Sequence, residues 1–124
     1  MPLPIFINKF LSFGRSSEIL AADHLRSLGY RVIGSGFRTR HGEVDLIAWD
    51  GDVLVFIEVK ARRSSEPPED AVNFRKRQRI LRAAGVYIAR HRLEETPYRF
   101  DIVAVTNRSG RASEFRVLRN AFQA

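Results

Sequence analysis

The chain has 124 residues, no cysteine and a formal net charge of +7 at pH 7. This length suits one domain with a real core and is too short for two. The absence of cysteine excludes disulfide frameworks, thiolate zinc sites and cysteine nucleophiles, and it fits the cytoplasmic location that we expect. The excess positive charge favours a polyanionic partner. We rank nucleic acid above an anionic membrane or a merely basic surface.

The first thirteen residues are apolar, with two early prolines and no clear period. They lack the charged start and cleavage site of a signal peptide, and the chain has no apolar run long enough to span a membrane. We treat residues 1–13 as an N-terminal arm whose role stays open between a docked arm, a partner contact and a frayed terminus. Residues 14–124 are predicted to form a single domain, and no membrane partner is expected.

A first helix is predicted over residues 16–28, with Ser16 or Ser17 as its cap and Gly29 as its stop. Glu18 projects from the core-facing side of this helix. An acid in the first helical turn is also favoured by the helix dipole, but beside other acids it becomes a candidate third carboxylate. The predicted apolar stripe consists of Ala21, Ala22, Leu25 and Leu28.

A short strand is predicted over residues 30–33, and the Gly34-Ser35-Gly36 sequence is expected to break it. The stretch that follows, residues 42–60, indicates two strands rich in Val, Ile, Leu and Phe. Asp50-Gly51 joins them, and an Asp-Gly pair between apolar runs is a strong signal for a β-hairpin.

The register of this hairpin predicts a cluster of charges. With Asp50 and Gly51 as the loop residues, Asp45 faces Phe56 and Glu43 faces Glu58. Asp45, Glu58 and Lys60 then share one face of the sheet. The backbones of Asp45 and Glu58 should lie roughly 7–8 Å apart, as diagonal neighbours do. We expect a one-residue slip of the turn to put Asp45 on the opposite face from Glu58.

Charged residues within such apolar strands require an explanation, because burying a carboxylate is costly unless it is paired, hydrogen-bonded or metal-bound. Carboxylate oxygens suit Mg²⁺ or Mn²⁺, and Mg²⁺ commonly takes one or two of them from a protein. The pattern therefore predicts metal-assisted phosphodiester hydrolysis, with Asp45 and Glu58 as ligands and Glu18 as an additional one. Lys60 would orient the attacking water or stabilise charge on the phosphate. A cross-strand ion pair is the structural alternative.

A second helix is predicted from Asn73, its cap, to about Arg92. Its predicted core-facing stripe consists of Phe74, Ile80, Leu81, Ala84, Tyr87 and Ile88. The basic residues of this helix are almost unrelieved by acids, so their self-repulsion costs stability unless a polyanion neutralises it. The candidate nucleic-acid contacts are Arg75, Lys76, Arg79 and Arg82 on the helix and Arg38, Arg40 and Arg62 flanking the hairpin.

Further strands are predicted over residues 98–106 and 114–118, the second as an edge strand. Asp101 in the first of them is expected to pair with an arginine. The order of elements predicts an α/β fold with a central mixed sheet flanked by helices. The three histidines show no ligand spacing, and Trp49 and Tyr30 are expected to pack rather than to stack on bases.

Residues 42–48 (Gly-Glu-Val-Asp-Leu-Ile-Ala) and 54–60 (Leu-Val-Phe-Ile-Glu-Val-Lys) closely resemble the UPF0102 (YraN-like) bacterial family. That family is related to the PD-(D/E)xK nuclease superfamily, especially to Holliday-junction resolvases. The resemblance extends from about residue 14 to residue 105 and implies a restriction-endonuclease-like core. In the superfamily the hairpin Asp and the Glu-x-Lys pair form the metal and catalytic site, often with a Glu from the first helix. Carried over, these roles fall on Asp45, Glu58, Lys60 and Glu18.

The leading hypothesis is a nuclease that depends on Mg²⁺ or Mn²⁺ and acts on DNA in preference to RNA, with branched DNA among its candidate substrates. A homodimer would suit a junction resolvase. The second hypothesis is a nucleic-acid-binding protein of nuclease fold without catalysis. The third is a protein-interaction or assembly factor that docks through residues 4–13.

Overall fold

The structure, a computed structural model, describes residues 13–62, 73–107 and 112–123. The predicted arm lies outside the described residues up to residue 12. In chain order, the elements are α1 (Phe13–Ser27), β1 (Arg31–Thr39), β2 (Gly42–Asp50), β3 (Val53–Arg62), α2 (Phe74–Arg90), β4 (Tyr98–Thr106) and β5 (Glu114–Phe122).

The five strands form one sheet in the order β1-β2-β3-β4-β5. The β3–β4 pair is parallel, and the other three pairs are antiparallel. The chain joins the two parallel strands through α2, as parallel pairing requires a crossover. This architecture confirms the predicted α/β fold, a restriction-endonuclease-like core with a mixed sheet flanked by helices. Within the described residues, no helix has the length and apolar character to cross a membrane.

The sheet buries a separate apolar cluster under each helix. Leu25 of α1 packs with Leu46, Val55 and Ile57 on one face, and Ile80 of α2 belongs to a cluster on the other. That second cluster includes Val44, Ile47, Leu54, Phe56, Phe100 and Phe122. Residues 54–57 of β3 are all 0% exposed. β3 is therefore buried on both faces along this stretch, and Glu58, the next residue, is itself only 2% exposed.

The first helix starts earlier and ends earlier than predicted. It begins at Phe13, so Ser16 and Ser17 lie inside the helix and neither caps it. Ser17 is buried instead, at 1% exposure. Leu28 was wrongly placed in the apolar stripe. It lies beyond the last helical residue and is exposed, because the chain turns away at Gly29, whose φ is +95°.

Two strands are longer than predicted. β1 runs through the Gly34-Ser35-Gly36 sequence without a break, because pairing with β2 supplies the hydrogen bonds and a bulge between Val32 and Gly34 absorbs the irregularity. β5 continues to Phe122 rather than ending at Leu118. Its pairing with β4 also shifts register, between Phe100 and Ile102.

The β2–β3 turn lies one residue beyond its predicted position. Asp50 pairs with Val53, so Gly51 and Asp52 form the loop, and Gly51 has the positive φ that glycine adopts without steric cost. The predicted pairing of Asp45 with Phe56 is wrong, since Ile47 faces Phe56. The expectation that such a slip would change the face of Asp45 is also wrong. Moving a two-residue loop by one position along the chain shifts each cross-strand partner by two residues. Because side chains alternate between the faces with a period of two, each residue keeps its face.

The second helix has the predicted cap, since the Asn73 side chain accepts a hydrogen bond from the Lys76 backbone N–H. Phe74 was wrongly placed in the core-facing stripe. Its side chain is 75% exposed, whereas Ile80, Ala83 and Ala84 are buried. At about 100° per residue, Phe74 lies about 120° around the helix from Ile80 and misses the sheet.

A buried polar network ties the sheet together around Asp101, which is 0% exposed. Its carboxylate accepts hydrogen bonds from the Tyr30 hydroxyl, the Arg99 guanidinium and the Asn120 backbone N–H. Arg99 also donates to Asp50 at 2.7 Å. The expected pairing of Asp101 with an arginine is confirmed. Because the polar groups of this cluster bond to one another, we interpret it as structural support for the β2–β3 hairpin.

Gly42 allows α2 to lie directly against β2. A Cβ atom at Gly42 would collide with the backbone carbonyl of Arg79, whereas one at Gly34 would meet nothing within 4 Å. We therefore expect Gly42→Ala to lower the free energy of unfolding by about 2 kcal/mol or more, in the range of overpacked cores. Urea denaturation measures this change, and Gly34→Ala is the matched control. Equal stabilities for the two variants would contradict the close contact.

Candidate functional site

Asp45 lies where β2 and β3 separate. The pairing of these strands extends to Leu46 and Ile57. Val44 belongs to the cluster under α2, but Leu46 belongs to the cluster under α1, so the alternation of β2 is interrupted at Asp45. The Asp45 Oδ2 atom accepts a hydrogen bond from the Val59 backbone N–H at 2.8 Å. At the point where the two strands separate, the carboxylate thus accepts a hydrogen bond from the backbone, and this bond fixes its position.

Glu58 brings a second carboxylate to the same place. Its side chain is 2% exposed, and its Oε1 atom lies 2.5 Å from the Lys76 ammonium nitrogen at the start of α2. The Asp45 carboxylate lies close enough for its charge to raise the pKa of Glu58. The structure therefore brings Asp45 and Glu58 together on the α2 side of the sheet, with Lys76 as their internal cation.

The electrostatics of this cluster favour the protonated form of Glu58. Burial, reinforced by the charge of Asp45, raises the pKa of Glu58 to about 8, although Lys76 opposes the rise. Burial lowers the pKa of Lys76, but the hydrogen bond to Glu58 and the nearby carboxylate charges raise it by more. At neutral pH Glu58 is therefore mostly protonated, next to the Lys76 ammonium. A divalent cation has to displace both the proton and the ammonium.

Lys60 and Glu18 occupy different positions relative to this pair. Lys60 lies two residues beyond Glu58 on β3, so it shares the face of Glu58, and it is partly exposed. Glu18 is partly exposed on α1, where it lines a cleft of about 340 Å³ with Ala22, Val32 and other residues of α1 and the first two strands. α1 packs on the face of the sheet opposite to α2. The role of Glu18 in the site stays a prediction.

The donor set suits a hard divalent cation. Within the described ranges, no three acidic or histidine side chains gather closely enough to form a metal site by themselves. Two carboxylates do meet, and Mg²⁺ typically takes one or two from the protein and completes its shell with water and substrate phosphate. Asp45 and Glu58 would hold such an ion.

A basic groove lies beside the carboxylates, between the β1–β2 turn and α2. It encloses about 540 Å³, and its lining residues are Arg40, His41, Phe74, Arg75, Gln78, Arg79 and Arg82. Four predicted nucleic-acid contacts thus gather at one surface. Lys76, on the same helix between Arg75 and Arg79, contacts Glu58, so α2 contributes both to the groove and to the carboxylate cluster.

The remaining predicted contacts lie elsewhere. Arg38 forms an ion pair with Glu43 at 3.2 Å on the surface, and its side chain is 81% exposed. Such an exposed pair costs little to open. Arg62 is partly buried at the end of β3. Lys76 points its ammonium at Glu58, and its role as a phosphate contact stays a prediction.

Sequence reasoning missed two features of this site, the Lys76–Glu58 ion pair and the exposure of Phe74. The predicted order of elements did contain a signal for the Lys76–Glu58 ion pair. α2 follows β3 in a crossover to a parallel strand, and such a helix runs back over the sheet from the carboxyl end of the first strand. Its first turn therefore starts close to the second half of β3, where Glu58 lies.

The raised pKa of Glu58 makes stability depend on pH. The folded state binds the Glu58 proton more tightly than the unfolded state does, so this stabilisation is present below pH 4.5 and is lost as pH rises through about 8. We expect Glu58→Gln, which cannot ionise, to reduce the loss of stability between these limits by at least about 1.4 kcal/mol, the equivalent of one pKa unit. Urea unfolding in EDTA across this pH range measures it.

The matched control for this experiment is Glu94→Gln, which removes an exposed carboxylate outside the cluster. Its stability should follow the wild-type pH profile. A Glu58→Gln profile that is as steep as the wild-type one would show that Glu58 is not the titrating group.

The comparisons with known proteins agree in one assignment. The sequence profile of the Uncharacterised protein family UPF0102 matches residues 17–105. A UPF0102 protein of Symbiobacterium thermophilum is 44% identical over 113 residues, which cover 90% of this chain and 96% of the relative. A UPF0102 protein of Alkaliphilus metalliredigens is 40% identical, with 90% and 97% covered. One of Stutzerimonas stutzeri is also 40% identical, with 91% and 96% covered. The chain belongs to the UPF0102 family.

Proposed function

We propose that this protein is a metal-dependent nuclease that hydrolyses phosphodiester bonds in DNA. The observation that carries the proposal is the meeting of Asp45 and Glu58 at the end of a buried strand, next to a groove lined by four arginines. Two carboxylates in contact repel one another unless a proton or a cation lies between them. Two carboxyl groups near a groove lined by arginines are suited to place a divalent cation on a phosphate once Glu58 has lost its proton.

Each residue has a defined task in this proposal. Asp45 and Glu58 hold Mg²⁺ or Mn²⁺, which would polarise the scissile phosphate and acidify a bound water. The hydrogen bond from Val59 N–H keeps the Asp45 carboxylate in place, so that ligand geometry is set before the ion arrives. Lys60, on the same face as Glu58, stabilises the negative charge that develops on the phosphate.

The groove supplies affinity and position. Arg40, Arg75, Arg79 and Arg82 neutralise backbone phosphates, and the release of counterions makes this contribution depend on salt. Because α2 lies against Gly42 and reaches Glu58 through Lys76, the groove is held at a constant distance from the carboxylates. DNA in preference to RNA, branched substrates and action as a homodimer remain proposals that rest on the resemblance to junction resolvases.

A second candidate function has its own support. The Lys76 ammonium already satisfies the buried carboxylates, which would let the fold persist without any metal. A DNA-binding protein that uses the groove and performs no hydrolysis would need no more than this. The two candidates differ in one measurable respect, which is cutting in the presence of metal.

We expect the protein to cleave labelled DNA with Mg²⁺ or Mn²⁺ and not with EDTA. Linear, flap and four-way-junction substrates show which form it prefers, and structured RNA tests the choice of nucleic acid. Asp45→Asn should lower the cleavage rate by about a hundredfold or more, since it removes a metal ligand, and Lys60→Ala by about tenfold or more.

The control for this assay is Asp52→Asn, which makes the same chemical change at the exposed β2–β3 turn and should leave cleavage unchanged. Binding is followed on the same substrates. Binding without cutting in any metal, equal in wild type and Asp45→Asn, would contradict the nuclease and leave the binding protein.

Metal affinity should rise with pH. Because Glu58 must lose its proton before it can ligate a cation, we expect Mn²⁺ to bind about tenfold more tightly for each pH unit up to the Glu58 pKa of about 8, and to level off above it. Calorimetry without DNA measures this dependence. A pH-independent affinity, or one that Asp45→Asn does not weaken, would contradict the assignment of the ligands.

A further inference from the structure

We infer that Phe74 stacks on an unpaired base of DNA held in the basic groove, and that it thereby selects substrates with a single-stranded segment. The inference rests on the DNA-binding part of the proposed function and does not require catalysis. The observation that carries it is the position of an exposed aromatic ring among the arginines that line the groove.

The exposure of Phe74 has no explanation in packing. At 75% exposed, it is the most exposed large hydrophobic side chain in the described part of the chain, ahead of Leu28 at 47% and Tyr98 at 45%. Single exposed apolar residues are common on protein surfaces and need no cause by themselves. The surroundings of Phe74 make the difference, because its neighbours are cationic and the surface they form is concave.

The ring is also held on a rigid support. Phe74 is the first residue of α2, immediately after the Asn73 cap. One turn further along, the helix is anchored by the close contact of Gly42 with Arg79. An aromatic side chain has few rotatable bonds, so little conformational entropy is lost when a base stacks on it.

Arginines combined with an aromatic ring match the requirements of single-stranded DNA. Proteins that bind single strands pair a positively charged groove, which follows the phosphates, with rings on which bases stack. In a duplex the base faces are already stacked on one another and offer no free surface. Arg40, Arg75 and Arg79 can contact the phosphates of either form. Only an unpaired base can use Phe74.

The proposed stack has a consequence for substrate choice. Flaps, gaps and junctions carry unpaired bases next to duplex arms. The arginines can contact the phosphates of the arms while Phe74 stacks on an unpaired base, so the groove favours these substrates over intact duplex.

Fluorescence anisotropy in EDTA tests the inference with a labelled single strand and a blunt duplex of equal length at one salt concentration. We expect Phe74→Ala and Phe74→Leu to weaken single-strand binding by about five- to a hundredfold, the range of one base–aromatic stack. Duplex binding should change by less than about twofold, since the phosphate contacts remain. Phe74→Tyr, which keeps the ring, should bind as wild type does. Arg75→Ala is the charge control and should weaken both forms.

A second readout is 2-aminopurine fluorescence in the single strand, which stacking quenches. Quenching by wild type and Phe74→Tyr but not by Phe74→Leu would support the stack. Equal weakening of both DNA forms by Phe74→Leu, or no weakening of either, would overturn it. Wild type that binds neither form would overturn the proposed function as well. Selective binding through Phe74 in a protein that never cuts would overturn the nuclease alone.

Discussion

The buried carboxylate of Glu58 is the constraint on which the arrangement of the site depends. It is a carboxylate at 2% exposure, and it directly follows four fully buried residues of β3. An isolated ion there would cost several kcal/mol in lost hydration, so its charge has to be cancelled by a proton, a basic side chain or a metal ion. The fold offers a proton on Glu58 itself and the ammonium of Lys76. In the proposed function a divalent cation would replace both.

The packing of α2 against the sheet places Lys76 at Glu58 and forms one side of the basic groove. Gly42 lets the helix backbone touch β2, which carries Asp45 at the point where β2 and β3 separate. The same helix carries Lys76 against Glu58 and the arginines of the groove. The carboxylates, the lysine that pairs with Glu58 and the arginines of the groove thus depend on one packing interface. The Asp101 network is independent of it and holds the hairpin from the opposite end through Arg99 and Asp50.

The differences between prediction and structure have a common cause, which is that local pattern does not report tertiary packing. The hairpin turn was misplaced by one residue, yet Asp45 and Glu58 kept a common side because a sliding loop preserves strand parity. Gly34 and Gly36 did not break β1, since the β2 edge imposed pairing on them. Phe74 fitted a helical stripe but lies about 120° around α2 from Ile80 and misses the sheet.

The sequence by itself determined the α/β class, the strands and helices, the cap at Asn73 and the acids that would meet, because apolar periodicity and turn residues act over short distances. Only the tertiary structure decided which face of the sheet each helix covers. It also decided that Lys76 lies on Glu58 and that Phe74 stands in the groove. These outcomes depend on how α2 packs across the sheet, and no local pattern encodes that geometry.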